Sequence, residues 1–162
     1  MPIYMNVNGI SGSTTAAGYE GWITIDSVQW SSNRPISTTG EVSKRAKAAL
    51  SMAEVVVTKQ GDGSSGHLWQ EHLKAGTSDG KTVEFHWVST GSISEKSQTV
   101  FQKMKLENAL ISSFATSSRS DERTVEILSF NFTKIECTYQ EMEKVGTKTS
   151  KPFVASFDLS KD

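Results

Sequence analysis

The chain of 162 residues contains one cysteine, Cys137, so an intrachain disulfide and a multi-cysteine zinc site are both excluded. A lone thiol fits synthesis in a reducing compartment. An excess of one charge is missing as well: 17 Lys+Arg stand against 18 Asp+Glu, a formal net charge of -1. Without a strong positive field, nucleic acid and anionic membranes are not expected partners. No stretch approaches the roughly eighteen apolar residues that a membrane helix requires, so membrane insertion is not expected. The opening Met-Pro-Ile-Tyr-Met-Asn-Val-Asn and the residues after it lack a basic start, an apolar core and a small-residue cleavage site. No cleavable secretory signal is expected.

Catalytic signatures are equally scarce. His67 and His72 are five residues apart, whereas two ligands on one helical face need a spacing of three or four. His86 sits between Phe85 and Trp87 with no adjacent carboxylate pair, and all three histidines read as structural or surface residues. Gly-x-Ser-x-Gly and Gly-x-x-x-x-Gly-Lys-Ser/Thr are absent. Gly61-Asp62-Gly63-Ser64-Ser65-Gly66 precedes a helical pattern, but it lacks the lysine and places an aspartate where a phosphate would lie, so it reads as a turn. Asp121, Glu122, Glu126 and Glu136 are interspersed with Arg119, Arg123 and Lys134, the mixture of a solvated face or a subunit contact. Cys137 alternates with Ile135 and Tyr139 and reads as a small core residue. No cofactor, metal or catalytic residue is expected, and the chain is read as a non-enzyme.

What the sequence does contain is a series of short alternating segments rich in β-branched and aromatic residues, separated by Gly, Ser, Asn and Thr. This is the pattern of an antiparallel sandwich or barrel. Ile3, Met5 and Val7 share one strand face. From Trp22 to Trp30 the apolar phase slips between Ile25 and Val28, as a bulge would cause. A third strand is expected over Leu50 to Thr58, with Val55, Val56 and Val57 covered on both faces. Further strands are expected over Thr82 to Ser89, Gln98 to Phe114, Arg123 to Tyr139 and Phe153 to Leu159. In the segment from Arg123 the phase passes from Val125 and Ile127 to Leu128, Phe130 and Phe132, then to Ile135 and Cys137, which predicts two bends. Bends of this kind close a sheet into a barrel.

One helix is expected, capped by Ser64 or Ser65, with Leu68, Trp69, His72 and Leu73 on one face and Gly76 ending it. Such a helix in a β domain covers an open edge. The stretch from Ser31 to Leu50 has no period of either kind and is long for a connection in a compact domain. It reads either as a functional loop or as a mobile surface loop. Trp22, Trp30, Trp69 and Trp87 fall at alternating or helical core positions, which argues against a cleft of converging aromatics. No internal repeat or composition shift divides residues 1–162, so a single domain is expected.

In this order the segments resemble the Hcp (haemolysin-coregulated protein) family, the tube proteins of the bacterial type VI secretion system. Gly21-Trp22-Ile23-Thr24-Ile25-Asp26-Ser27-Val28-Gln29-Trp30 is similar to the family's aromatic-rich second strand, and Ser31 to Ala49 stands where the family has its extended loop. His67-Leu68-Trp69-Gln70-Glu71-His72-Leu73-Lys74-Ala75-Gly76 is similar to the short helix. Ile111-Ser112-Ser113-Phe114, the turn through Ser120-Asp121-Glu122, and Val125 to Phe132 leading to Cys137-Thr138-Tyr139 complete the match. The run from Lys44 to Lys47 departs from the family's loop.

The resemblance implies a mainly β, antiparallel two-sheet β-barrel with one short flanking α-helix. Six copies would form a ring and rings would stack into a tube, propelled with a spike protein from a contractile sheath. It implies a protein made in the bacterial cytoplasm and secreted by the type VI system, with effector proteins as passengers in the channel. A tail tube of a contractile phage is a related alternative, and a monomeric carbohydrate- or peptide-binding β-barrel is an unrelated one; a hydrolase finds the least support. Arg34, Pro35, Ile36, Lys44 and Arg45 are the expected contacts between stacked rings.

Overall fold

Residues 1–45, 48–90, 99–141 and 151–161 are described by a computed structural model, and the fold is organised around one long strand. That strand, β8 (Thr99–Ser117), follows β1 (Ile3–Val7), β2 (Ile23–Ile25), β3 (Ser27–Gln29), β4 (Ser32–Asn33), β5 (Ser51–Met52), β6 (Val55–Gln60) and β7 (Lys81–Ser89). After it come β9 (Val125–Asn131), β10 (Lys134–Tyr139) and β11 (Phe153–Asp158). Two helices, α1 (Val42–Arg45) and α2 (Ser65–Leu73), and a closing 3-10 turn at Leu159–Lys161 complete the described elements. Gln98 and Lys47, which entered the expectations above, lie outside the described residues.

All pairings are antiparallel, as the alternating sequence predicts. One edge of β8 is followed by β10, from Gln102 opposite Tyr139 to Glu107 opposite Lys134, and then by β9, from Leu110 opposite Asn131 to Ser117 opposite Val125. The other edge carries β7. The hydrogen-bonded path runs β2-β1-β7-β8-β9-β6-β3, with β11 added outside β10. Its two ends are consecutive in the chain, joined at Asp26, whose backbone N–H donates to the Thr58 carbonyl at 2.8 Å. The sheet therefore wraps into two layers that meet at this corner, without a strand-to-strand ladder closing it among the described residues. The phase slip between Ile25 and Val28 is this corner: β2 pairs with β1, whereas β3 pairs with β6. Register shifts at Lys81/Val83, Trp87/Val88 and Ile111/Ser113 supply the remaining bends.

The layers enclose Met5, Val7, Ile23, Val55, Val57, Leu68, Val83, Phe85, Met104, Leu106, Leu128 and Phe130, none with appreciable solvent contact. Phe85 on β7 meets Phe130 on β9 edge to face, with ring centroids 6.3 Å apart. Cys137 is buried on the inner side of β10 beside Ile135, as expected, and burial pushes its thiol pKa up although a bond to Tyr139 acts the other way.

Four expectations need correction. Between Val125 and Phe132 there is no slip. The three large side chains Leu128, Phe130 and Phe132 hold the inward phase, and the same alternation carried backward turns Glu126 in and Ile127 out, the latter 43% exposed. Only the bend near Thr133, where β9 gives way to β10, is real. Second, Val56 is half-buried and not covered on both faces; β6 alternates, with Val55, Val57 and Lys59 inside. Third, α2 packs one row of its expected face. Leu68 is buried and His72, one turn on, bonds the Ile111 carbonyl through Nδ1 at 2.9 Å, while the neighbouring row of Trp69 and Leu73 faces solvent. A helix laid along β8 can offer only one i,i+4 row to it, yet the contact does cover that edge as foreseen. Fourth, two of the four tryptophans are not core residues: Trp22 and Trp87 are half-buried and pack against the hydrophobic clusters, whereas Trp30 and Trp69 are exposed.

Candidate functional site

The expected contact loop leaves the barrel on the two-residue ribbon of β4 and β5, with Ser32 opposite Met52 and Asn33 opposite Ser51. The Ala53 N–H donating to the Ser31 carbonyl at 2.9 Å and the Ser51 hydroxyl donating to the Asn33 carbonyl at 3.2 Å close its base. Farther out, the chain bonds to itself a second time. Ser37 N–H donates to the Arg45 carbonyl at 3.0 Å, and Arg45 Nε returns a bond to the Ser37 carbonyl at 2.8 Å. The Ser37 hydroxyl also donates to the Thr39 carbonyl at 3.0 Å. A loop cross-linked at two levels has already lost much of its conformational entropy before it meets a partner.

Its outer surface mixes apolar and basic groups. Arg34, Pro35, Ile36 and Lys44 are exposed and Arg45 is half-buried. Ile36 and Val42 show 56% and 80% of their surface to solvent. Lys44 lies 3.6 Å from Glu41 in an exposed pair that contributes little stability. Arg34 has no carboxylate partner among the described residues.

Two grooves flank the base of this loop, with Trp30 between them. One, of about 540 Å³, is lined by Gln29, Trp30, Ser31, Ala53, Glu54 and Val56 among others. The second, of about 230 Å³, lies between Trp30 and Met52 on one side and Ile135, Tyr139, Ala155 and Phe157 on the other. Glu54 accepts a bond from the Ser112 hydroxyl and pairs with no cation among the described residues. Sequence reasoning missed these surfaces: the larger forms between the segments around β3 and β6, and the smaller where the ribbon passes β10 and β11, so both depend on pairings far apart in the chain.

The polar groups inside the barrel are fully engaged. Lys59, fully buried, spends its three donors on Glu126 Oε2 at 2.7 Å, Asp62 Oδ1 at 3.0 Å and Ser65 Oγ at 3.3 Å. Asp62 in turn accepts the Ser64 N–H at 3.0 Å and the Ser64 hydroxyl, while its own N–H donates to Ser65 Oγ at 2.9 Å. Burial acts to raise the Asp62 pKa, but the bonds from Ser64 and Lys59 outweigh it and hold the carboxyl below its ordinary value. The start of α2 is thus capped from Asp62, not by a side-chain bond from Ser64 as expected. The glycine-rich turn carries its own aspartate where an anion would bind.

His86 lies over Trp22 at 4.7 Å between centroids, and its Nδ1 bonds the Tyr19 hydroxyl at 3.1 Å. Tyr19 stacks on Tyr4 at 4.4 Å. Burial, followed by the nearby Lys103, lowers the His86 pKa from 6.5 to about 4. The unfolded chain therefore takes up this proton at a higher pH than the folded one. Stability is expected to fall as pH drops from about 6.5 to about 4, and His86→Gln is expected to flatten that part of the profile. Denaturant titration of both proteins at successive pH values checks it; equal slopes would contradict it. Among the described residues no group of three or more His, Cys, Asp or Glu side chains could hold a metal.

The class defined by this architecture is a mainly β, two-layer barrel with a structured projecting loop. The chain matches the family described as type VI secretion system effector, Hcp, over residues 4–139, and it belongs to that family. As a member, it is a component of the type VI secretion system, of a family of tube proteins that associate with their own kind and are exported by that system. The fold is that of several solved structures. A type six secretion system protein aligns with a TM-score of 0.86 at 16% identity, covering 99% of this chain and 96% of that one. Hcp1 from Salmonella typhimurium aligns at 0.76 with 13% identity over 99% and 96%. A type VI secretion system effector from Yersinia pestis aligns at 0.73 with 18% identity over 96% and 98%. No curated protein matched the sequence. The family match disfavours the phage tail tube and the monomeric binding barrel; the exposed Trp30 and Trp69 mean that tryptophan placement no longer argues against the latter.

Proposed function

We propose that the chain is a one-domain subunit, residues 1–162, of a tube built from stacked hexameric rings, and that it acts as a structural part and not as an enzyme. It is made in the bacterial cytoplasm, leaves through the type VI machinery, and meets a spike protein, a contractile sheath and effector passengers in the channel. The observation that carries this reading is the surface of the free subunit. β11 is an edge strand whose residues 153–156 are all exposed, with Phe153 at 71% and Val154 at 52%, and it carries no charge before Asp158. Isolated proteins protect such edges with lysine, proline or bulges. An unprotected apolar edge on one side and a preformed, partly apolar loop on another suit a subunit surrounded by copies of itself.

Stacking is assigned to Arg34, Pro35, Ile36, Lys44 and Arg45. Reversing the charge at Lys44 and Arg45 together is expected to leave rings intact and to shorten or abolish tubes, as viewed by negative-stain electron microscopy. Tubes of unchanged length would remove the loop from the interface between rings.

A further inference from the structure

We infer that the acceptor of the projecting loop is the pair of grooves around Trp30 on another copy of the chain, with Arg34 paired to Glu54 across the contact. This rests on the proposal above that the loop joins one ring to the next, and it names the surface that the loop meets.

The two patches are complementary in polarity and charge. The loop presents Ile36 and Val42, the kind of side chains that leave water when a concave apolar surface is offered to them. The groove between Trp30 and β11 offers one, floored by Ile135 and walled by Met52, Tyr139 and Phe157. Next to it, the larger groove holds the Glu54 carboxylate. Among the described residues of one subunit Arg34 pairs with no carboxylate and Glu54 with no cation, so each charge is left for a partner to match. The occupant is a second copy, since the chain belongs to a self-associating family and both halves of the contact stand on its own surface.

The contact is also of the right type. Loop and groove are different patches, so their union can repeat head-to-tail from copy to copy, as a stack of rings requires. The double cross-bonding through Ser37 and Arg45 means that the loop pays little further ordering entropy on docking. Repeated around a ring, individually weak contacts sum to a firm joint.

A charge exchange tests the assignment. Arg34→Glu and Glu54→Lys, each alone, are expected to cut the fraction of rings found in stacks by about tenfold or more, because each sets like charges face to face. The two together in one chain are expected to restore it. A second test places Ile36→Cys in one preparation and Ala155→Cys in another, both in a Cys137→Ser background; mild oxidation of the mixture should give a disulfide-linked pair that neither preparation forms as readily alone. If Lys44 and Arg45 reversal breaks stacking while Glu54→Lys does not and no cross-link forms, the loop reading stands and the groove is overturned as its acceptor. If none of the loop or groove variants affects stacking, both fall.

Discussion

Replacing Lys59 with methionine is expected to lower the unfolding free energy by about 3–5 kcal/mol, the range for breaking a buried pair from one side. Lys59 is the register partner of Glu126 across β6 and β9, and the Glu126 side chain is 5% exposed. Methionine has nearly the length of the lysine stem, so packing is largely kept. What is lost is the cation between Glu126 and Asp62, which leaves one carboxylate buried without its partner and another tied only to Ser64. Lys59→Met combined with Glu126→Leu is expected to recover most of the loss, since a buried ion pair exchanged for apolar groups is often close to neutral. Urea titration of the two single and the double variants gives the coupling. A single-variant loss under about 1 kcal/mol would show that water or rearrangement already satisfies the carboxylates.

Phe85→Ala is expected to cost about 3–5 kcal/mol as well, for a different reason. The ring is fully buried between the layers and touches Phe130 on the opposite side. Its removal leaves a cavity that the two sheets, joined by β8 and by the Asp26 corner, cannot close by moving together. Phe85→Leu should cost much less, because most of the volume remains. If Phe85→Ala were no worse than Phe85→Leu, the layers would be able to collapse and the rigid-barrel account would fail.

Much of the fold was legible because the period-2 pattern survives wherever one face alone is buried. Ile3, Met5 and Val7, or Val83 and Phe85, announce their strands and their inward faces without help. The reading failed where a polar residue occupied an inward position. Glu126 and Lys59 are inside because each is the other's partner, and no single-strand pattern contains that pairing. Ile127, next to Glu126, then looked like a core residue and produced a slip that does not exist. The tryptophans misled in a related way: helical or alternating spacing puts Trp69 and Trp30 in a row, but which row meets the barrel is decided by tertiary packing. The Asp26 corner was visible as a phase slip, although its meaning, a change of sheet, was not.

Of the site, the loop residues were readable as an aperiodic stretch with Arg34, Ile36, Lys44 and Arg45 along it. The internal bonds from Ser37 to Arg45 that stiffen it were not, since backbone groups leave no mark on sequence. The smaller groove beside Trp30 was invisible for the reason that most interfaces are: its walls come from β5, β10 and β11, distant in the chain and adjacent only after folding.

The central claim is that this subunit is a part for ring assembly. Its most direct test is the molar mass in solution, by light scattering coupled to size exclusion over a wide range of concentrations. The account predicts a species of about six times 17.7 kDa, with heavier stacks appearing as concentration rises. A strictly monomeric protein at every concentration would contradict it.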